Sequence, residues 1–261
     1  MPDIAEPKTE NVKERPATFN GWSIRGILDE RKTQMRRIMK PQPPETMPED
    51  SYLDAYSGGP EWCAWTYQDK VHNSPEYGGD GSCMWTCPYG KPGDVIWVRE
   101  AFRLPVWADQ YSPLEYVETG GWIVRYEAGG HHSLSGAPDH VLEESAEDVI
   151  ESDYWGRKRP SIHMPKEMCR LYLRVEDVRV ERVKSISRED AVAEGVRKVE
   201  GVEVPGMAPA YEDVLSGGDS FCFGAQAAFM RLCHNIHGQG AWRRNDRVWV
   251  IEFSRINDTS R

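Results

Sequence analysis

With 261 residues, 39% of them hydrophobic, and ten Trp, eleven Tyr and six Phe, the chain has material for a packed core in one large or two small domains. Its formal net charge of −10, from 42 Asp+Glu against 32 Lys+Arg, argues against general coating of duplex nucleic acid, whose phosphates such a surface repels. No apolar run approaches the roughly 20 residues that span a bilayer, and the polar segment 1–16 lacks the apolar stretch of a secretory leader, so a cytoplasmic protein with no membrane contact is expected.

In chain order, Met1 to Thr18 reads as a flexible tail, with alternating charges and no apolar periodicity. Phe19 to Arg31 is a predicted helix on which Trp22, Ile27 and Leu28 face a core, and Gln34 to Met39 starts a strand that Pro41, Pro43 and Pro44 stop. Residues 41–90 form a long insert rich in Pro, Gly and aromatics. Asp94 to Ala101 is a strand opened by the Pro92-Gly93-Asp94 turn, and Trp122 to Tyr126 is another. Residues 103–160 otherwise read as a second insert, polar and acidic toward its end. Arg170 to Val183 carries the longest strand signal. Leu171, Leu173 and Val175 alternate in one phase and Val178 and Val180 in the other, which predicts a bulge near Glu176-Asp177. A compact helix follows, with Ser187 as N-cap and Gly195 as its left-handed stop. After a third insert, 198–222, come a helix over Ala225 to Ile236 and a strand over Val248 to Phe253, apolar on both faces except at Glu252. The expected architecture is mainly β with α (α+β): one domain over 19–257, flanked by tails at 1–18 and 258–261.

The six cysteines are scattered, and in a reducing compartment they stay thiols. Cys63, His72, Cys83 and Cys87 are of zinc-ligating type, but their spacing is loose and the segment between them Gly-rich. The expectation is no metal and no cofactor. Phosphate-loop, nucleophile-elbow and HExxH motifs are missing, which removes several enzyme classes.

Two features stand out chemically. Arg31, Lys32, Thr33, Arg36 and Arg37 form a basic cluster at the end of the first helix of an otherwise acidic chain, a pattern that suits a small anionic ligand. Glu194 closes the Ser187 helix at the negative end of its dipole, where a carboxylate is mildly disfavoured. From the residues alone, Glu194 reads as an exposed partner of Arg197 or Lys198.

The segment ILDERKTQMRR (Ile27–Arg37) resembles the opening motif of ASCH domains, a branch of the PUA-like β-barrel superfamily. The likeness continues through Cys87–Glu100, Arg159–Val196 and Ala228–Ile256, in order, as in the larger ASCH-type "morphogenetic" proteins of bacteriophages and prophages. It implies a PUA-like barrel with flanking short helices and long loop inserts, and a host-cytoplasm location. It also implies binding of RNA, single-stranded nucleic acid or a modified nucleobase or nucleotide in a pocket of Arg31, Lys32, Thr33, Arg36, Arg37, Arg99 and Glu194. Tyr89, Trp97 and Trp155 are the candidates for stacking on a base. The first alternative is a hydrolase, either a nuclease or an amidohydrolase acting on N4-acylated cytidine, as in some small ASCH proteins. Their catalytic Lys, Thr and Glu fall on Lys32, Met35 and Glu194, so the set is incomplete: Met35 has no nucleophilic oxygen. The family's usual Gly before Arg-Lys is Glu30 here. The second alternative is a phage accessory or anti-defence factor that binds a host protein.

Overall fold

Apolar residues on both faces of a strand demand cover on both sides, and the strand at Arg247–Ile256 receives it. A computed structural model describes residues 12–43, 64–68, 82–121, 123–133, 154–213 and 220–256. The strands in chain order are β1 (Glu14–Thr18), β2 (Gln34–Ile38), β3 (Ala64–Gln68), β4 (Ser82–Thr86), β5 (Val95–Arg99), β6 (Phe102–Arg103), β7 (Ile123–Tyr126), β8 (His131–Ser133), β9 (Tyr172–Arg182), β10 (Ala210–Glu212), β11 (Phe221–Phe223) and β12 (Arg247–Ile256). The helices are α1 (Gly21–Leu28), α2 (Pro113–Glu118), α3 (Arg188–Ala193), α4 (Ala225–His237) and α5 (Gln239–Arg244). The chain is thus α+β. Its main sheet has the order β1-β5-β9-β12-β2, parallel between β1 and β5 and antiparallel elsewhere.

Three cores divide the two faces of this sheet. Trp249, Ile251 and Phe253 of β12 join Ile96, Val98 and Val175 in the first, where Ile24 and Ile27 of α1 also lie. Val248 and Val250 point the other way, against Phe229, Leu232 and Cys233 of α4. Trp97 of β5 leaves the first core for a third one with Phe102, Leu104, Tyr116 and Tyr126. The predicted bulge is present: the β9–β12 register slips between Glu252 and Phe253, which face Asp177 and Val175. The extra residue, Glu176, keeps Val178 on the core face occupied by Val175.

Caps fix the helix starts. Asn20 Oδ1 accepts from the Ser23 amide at 2.8 Å, and Ser187 Oγ from the Asp190 amide at 2.9 Å. Gly195, at φ 93°, ends the turn after α3 as expected.

The chain enters the sheet earlier than its sequence indicates. Residues 14–18, expected in a tail, pair with β5 from Glu14↔Val95 to Thr18↔Arg99, and Ala17 supplies the apolar residue that holds them. Residues 41–90 include the antiparallel pair β3 and β4. The stretch 103–160 is no plain insert either: α2 starts in a Ser112/Glu115 capping box with Pro113 in its first turn, and with β6, β7 and β8 it builds around the third core. Within 198–222, β10 pairs with β11. Helix α5 was not legible, being short and polar with an Asn245 stop in the left-handed region.

Among the described residues no ladder joins the two edge strands β1 and β2. Helix α1 crosses from one to the other, and Arg37 of β2 donates to the Thr18 carbonyl of β1 at 2.6 Å.

Candidate functional site

The loop between α1 and β2 is tied down at its main chain. The amides of Arg31 and Lys32 both donate to the Gly26 carbonyl at 2.9 Å, and the Thr33 amide donates to the Ala193 carbonyl at the end of α3 at 2.9 Å. The Phe253 amide of β12 donates to the Thr33 carbonyl at 2.9 Å. Glu30 turns this loop at φ 59°, a left-handed conformation that suits glycine and costs an L-residue about 1 kcal/mol. Its carboxylate stays exposed.

This anchoring aims Lys32 at the end of α3. Its Nζ donates to the Glu194 carbonyl and to Glu194 Oε2, both at 2.8 Å. Lys32 is 5% exposed and Glu194 3%. A Cβ on Gly195 would stand 2.9 Å from Lys32 Cβ, so only glycine lets the lysine stem pass. Arg31 clasps the same turn from outside by donating to the Gly195 carbonyl.

Glu194 is therefore not the exposed partner of Arg197 or Lys198. Its second oxygen lies 3.4 Å from Arg36 Nη1. Arg36 also reaches Glu181 at 2.9 Å and Asp190 at 3.0 Å through Nη2, and it donates to Gln34 Oε1. Gln34 in turn donates to Asp190 at 3.0 Å and to Glu252 at 3.3 Å, and Arg179 bridges Asp190, Glu181 and Glu252. Register explains the assembly. Arg36, Val250 and Arg179 lie in one row across β2, β12 and β9, and Gln34, Glu252 and Asp177 in the next. Directly opposed residues share a face, and α3 roofs this one with Asp190.

A cavity of about 220 Å³ runs along the β2 edge. Phe19, Asn20 and Ser23 wall it from the start of α1, and Met35, Arg36 and Arg37 from β2. Lys32 and Glu194 line it, and Ile236 and His237 close it from the end of α4. Because β2 is an edge strand, side chains from both its faces reach the cavity. Arg37 stands 5.1 Å from the Phe19 ring and 5.7 Å from that of Tyr89. Its Nε is buried without a hydrogen-bond partner.

Burial pulls the Lys32 pKa below its ordinary value, Glu194 opposes the shift, and the Arg37 and Arg36 charges reinforce it. Burial also lowers His237, helped by Arg37 and Lys40 and opposed by Asp246. For Asp190 the order is reversed. Burial raises its pKa, but hydrogen bonds and charge from Gln34, Arg36 and Arg179 prevail and hold it below the usual carboxylate range.

Of the predicted site residues, Lys32, Arg36, Arg37 and Glu194 come together at the cavity and Arg31, Thr33 and Arg99 do not line it. Thr33 is exposed and serves through its main chain, and Arg99 stacks 4.6 Å over Trp97. Arg36 is no open phosphate fork, since three carboxylates hold it. Trp97 and Trp155 are buried, which removes them as stacking platforms, whereas half-buried Tyr89 packs beside Arg37. Cys63, His72 and the Cys83 side chain lie outside the described residues, and Cys87 is buried in the first core. No group of three or more His, Cys, Asp and Glu able to hold a metal occurs among the described residues. Nor, among them, is any helix long and apolar enough to cross a membrane.

Sequence reasoning missed Asn20, Ser23 and His237 at the cavity and the carboxylates behind Arg36. The signal for the latter was present: charged residues at 177, 179 and 181 alternate on one strand, opposite Glu252 on another. No protein-family model matches the chain, and neither a curated protein nor a solved structure matches it.

Proposed function

We propose that the chain binds a nucleobase or nucleotide, free or within single-stranded nucleic acid, in the cavity beside β2, and that it is an ASCH protein with a PUA-like barrel. The observation that carries the reading is the meeting of Lys32 and Glu194, 162 positions apart, at one cavity that Arg37 also lines. In the ASCH resemblance, Lys32 and Glu194 are the residues expected to act together. The cavity suits one heterocycle better than a duplex. The Phe19 ring walls it but is 5% exposed and packed in the first core, so polar groups and the size of the cavity, not stacking on Phe19, carry the selection. Glu194 Oε1, with only the 3.4 Å contact to Arg36, keeps lone pairs for an exocyclic amine. Arg37 supplies the charge for a phosphate. Among the described residues it is held by the Thr18 carbonyl and two aromatic rings, with no carboxylate in ion-pair range.

The experiment is calorimetric titration with cytidine, N4-acetylcytidine and their 5′-monophosphates, with mass spectrometry of the same mixtures. The monophosphates should bind about tenfold more tightly, a difference of about 1.4 kcal/mol. Arg37→Gln should erase that margin and leave nucleoside affinity intact. No heat with any of the four ligands, or an equal loss for nucleoside and monophosphate in Arg37→Gln, overturns the reading.

The buried pair also favours a second reading, hydrolysis of an acyl group from an exocyclic amine. Glu194 would take the proton of an attacking water and Lys32 would supply one to the leaving amine. Met35 excludes attack by a side-chain hydroxyl at that position. A deacylated product that disappears in Glu194→Gln would establish this reading over simple binding.

A further inference from the structure

A second recess, of about 490 Å³, lies away from the β2 cavity. Tyr111 and Ser112 line one side, Arg157, Lys158 and Arg159 the other, with His163. Among the described residues no carboxylate lines it. Among these residues three acids stand around it: Asp109 lies 4.0 Å from Arg157 and 3.5 Å from Arg159, Glu127 is shared by Lys158 and Arg103, and Glu115 accepts from the Ser112 amide at 2.8 Å. Four cations thus answer to three carboxylates there, a local excess of one positive charge on a chain whose formal net charge is −10.

The wall is built rather than loose. Both Asp109 carboxylate oxygens accept from the Arg157 amide, at 2.9 and 3.3 Å, and a Cβ on Gly156 would meet Asp109 Cγ at 2.5 Å. Arg159 pairs with Phe102 of β6 through both main-chain bonds, and Pro160 keeps it extended. Arg159 is buried and donates to the Ala108 carbonyl at 3.2 Å. In such a segment successive side chains alternate, as the partners confirm: Arg157 and Arg159 turn to Asp109, Lys158 to Glu127. The cations therefore form two separate centres, Arg157 with Arg159 at Asp109 and Lys158 at Glu127.

We infer that this recess is a second binding site, for the phosphodiester backbone of single-stranded nucleic acid. Neighbouring singly charged phosphates of a backbone fit two separated cationic centres, whereas one doubly charged phosphomonoester fills only one of them. Burial and the Arg157 charge already pull the Arg159 guanidinium pKa down, so a neighbouring anion relieves a strain present in the free protein. The recess lies on elements other than those of the β2 cavity and does not depend on the reading given to that cavity.

The test is fluorescence anisotropy of a short 5′-fluorescein oligouridylate on the full chain, from about 50 to about 200 mM salt. Two phosphates at about 0.7 each give a slope of log affinity against log salt near −1.4, or about a sevenfold loss across that range. Because Arg37 supplies a phosphate contact of its own at the β2 cavity, the comparison is made in Arg37→Gln, where Arg157→Gln/Lys158→Gln should bring the slope close to zero and weaken low-salt binding by at least that factor. These side chains are 67% and 58% exposed, so the fold should survive, which thermal melting by circular dichroism checks. Absence of binding, or an unchanged slope in the double variant, overturns the proposal. Stronger displacement of the probe by a phosphoserine peptide than by unlabelled oligouridylate assigns the recess to phosphoprotein and overturns it equally.

Discussion

Lys32→Met removes one charge from a pair whose members are almost wholly shielded from water. Among the described residues the carboxylate left behind keeps Arg36, at 3.4 Å, as its one cationic neighbour. Breaking a buried pair from one side costs about 3–5 kcal/mol, and the remaining Arg36 puts this case near the lower figure. At about 2–4 °C per kcal/mol for a chain of this size, Tm should fall by about 6–12 °C. Glu194→Gln should cost less, about 2 kcal/mol, because the Glu194 carbonyl still accepts from Lys32 Nζ at 2.8 Å and the amine sheds its proton more readily. With both changes made, neither charge is stranded, so the double variant should lose about 2–3 kcal/mol rather than the sum. A coupling energy of about 2 kcal/mol or more from urea unfolding at neutral pH is the expected result. Additivity within about 0.5 kcal/mol would refute the pairing.

The same variant carries a pH test with a definite sign. Because the folded-state pKa of Lys32 lies below the ordinary lysine value, the native protein releases this proton before the unfolded chain does. Between those two values the unfolded state binds more protons, and stability rises with pH. The wild type should therefore gain on Lys32→Met as the pH climbs toward the ordinary lysine pKa. A constant gap over that window would mean that burial does not govern this amine.

Three further changes probe the supports of the site. Glu30→Gly relieves the left-handed backbone at φ 59° and should stabilise the protein by about 1 kcal/mol; a loss of stability in thermal melts would show that the Glu30 side chain matters more than its backbone. Asp190, held below its ordinary pKa by Gln34, Arg36 and Arg179, contributes stability above that ordinary value and loses it as the pH falls through the lowered one. Acid unfolding of Asp190→Asn should begin at a milder pH than in the wild type, the curves merging in strong acid, and coincident curves throughout would refute the contribution. Ser187→Ala removes the cap of α3 and should cost about 1 kcal/mol in urea unfolding; a loss of less than a few tenths would mean that tertiary contacts alone hold the turn.

Elements with a local physical cause were legible in the sequence. The β9 phase flip, the Ser187 cap, the Gly195 stop and the two-faced apolar run of β12 all state their conformation within a few residues. β1 was not legible, because its five residues carry no alternation of their own and gain strand geometry from pairing with β5. The layer around the third core was hidden for a similar reason. Tyr116 and Tyr126 read as scattered aromatics until Phe102 and Met168 enclose them. At the site, the basic motif was visible but the state of each cation was not. Nothing in RKTQMRR distinguishes Arg36, neutralised by three carboxylates, from Arg37, which meets aromatic rings and a carbonyl. That difference comes from strand alternation. Arg36 faces β9 and α3, where the acids are, while its neighbour turns to the inner face.

The division of labour between those two arginines shapes what the cavity can select. Arg36 spends its charge on Glu181, Asp190 and Glu194, so it fixes the carboxylate that faces Lys32 rather than attracting a ligand. Lys32 spends its charge on Glu194. The cation left for a ligand is Arg37, at the rim where β2 meets Thr18, next to Phe19. The cavity is thus polar and charge-balanced at Lys32 and Glu194 and cationic at Arg37, which suits the ligand proposed above, an uncharged base carrying a phosphate.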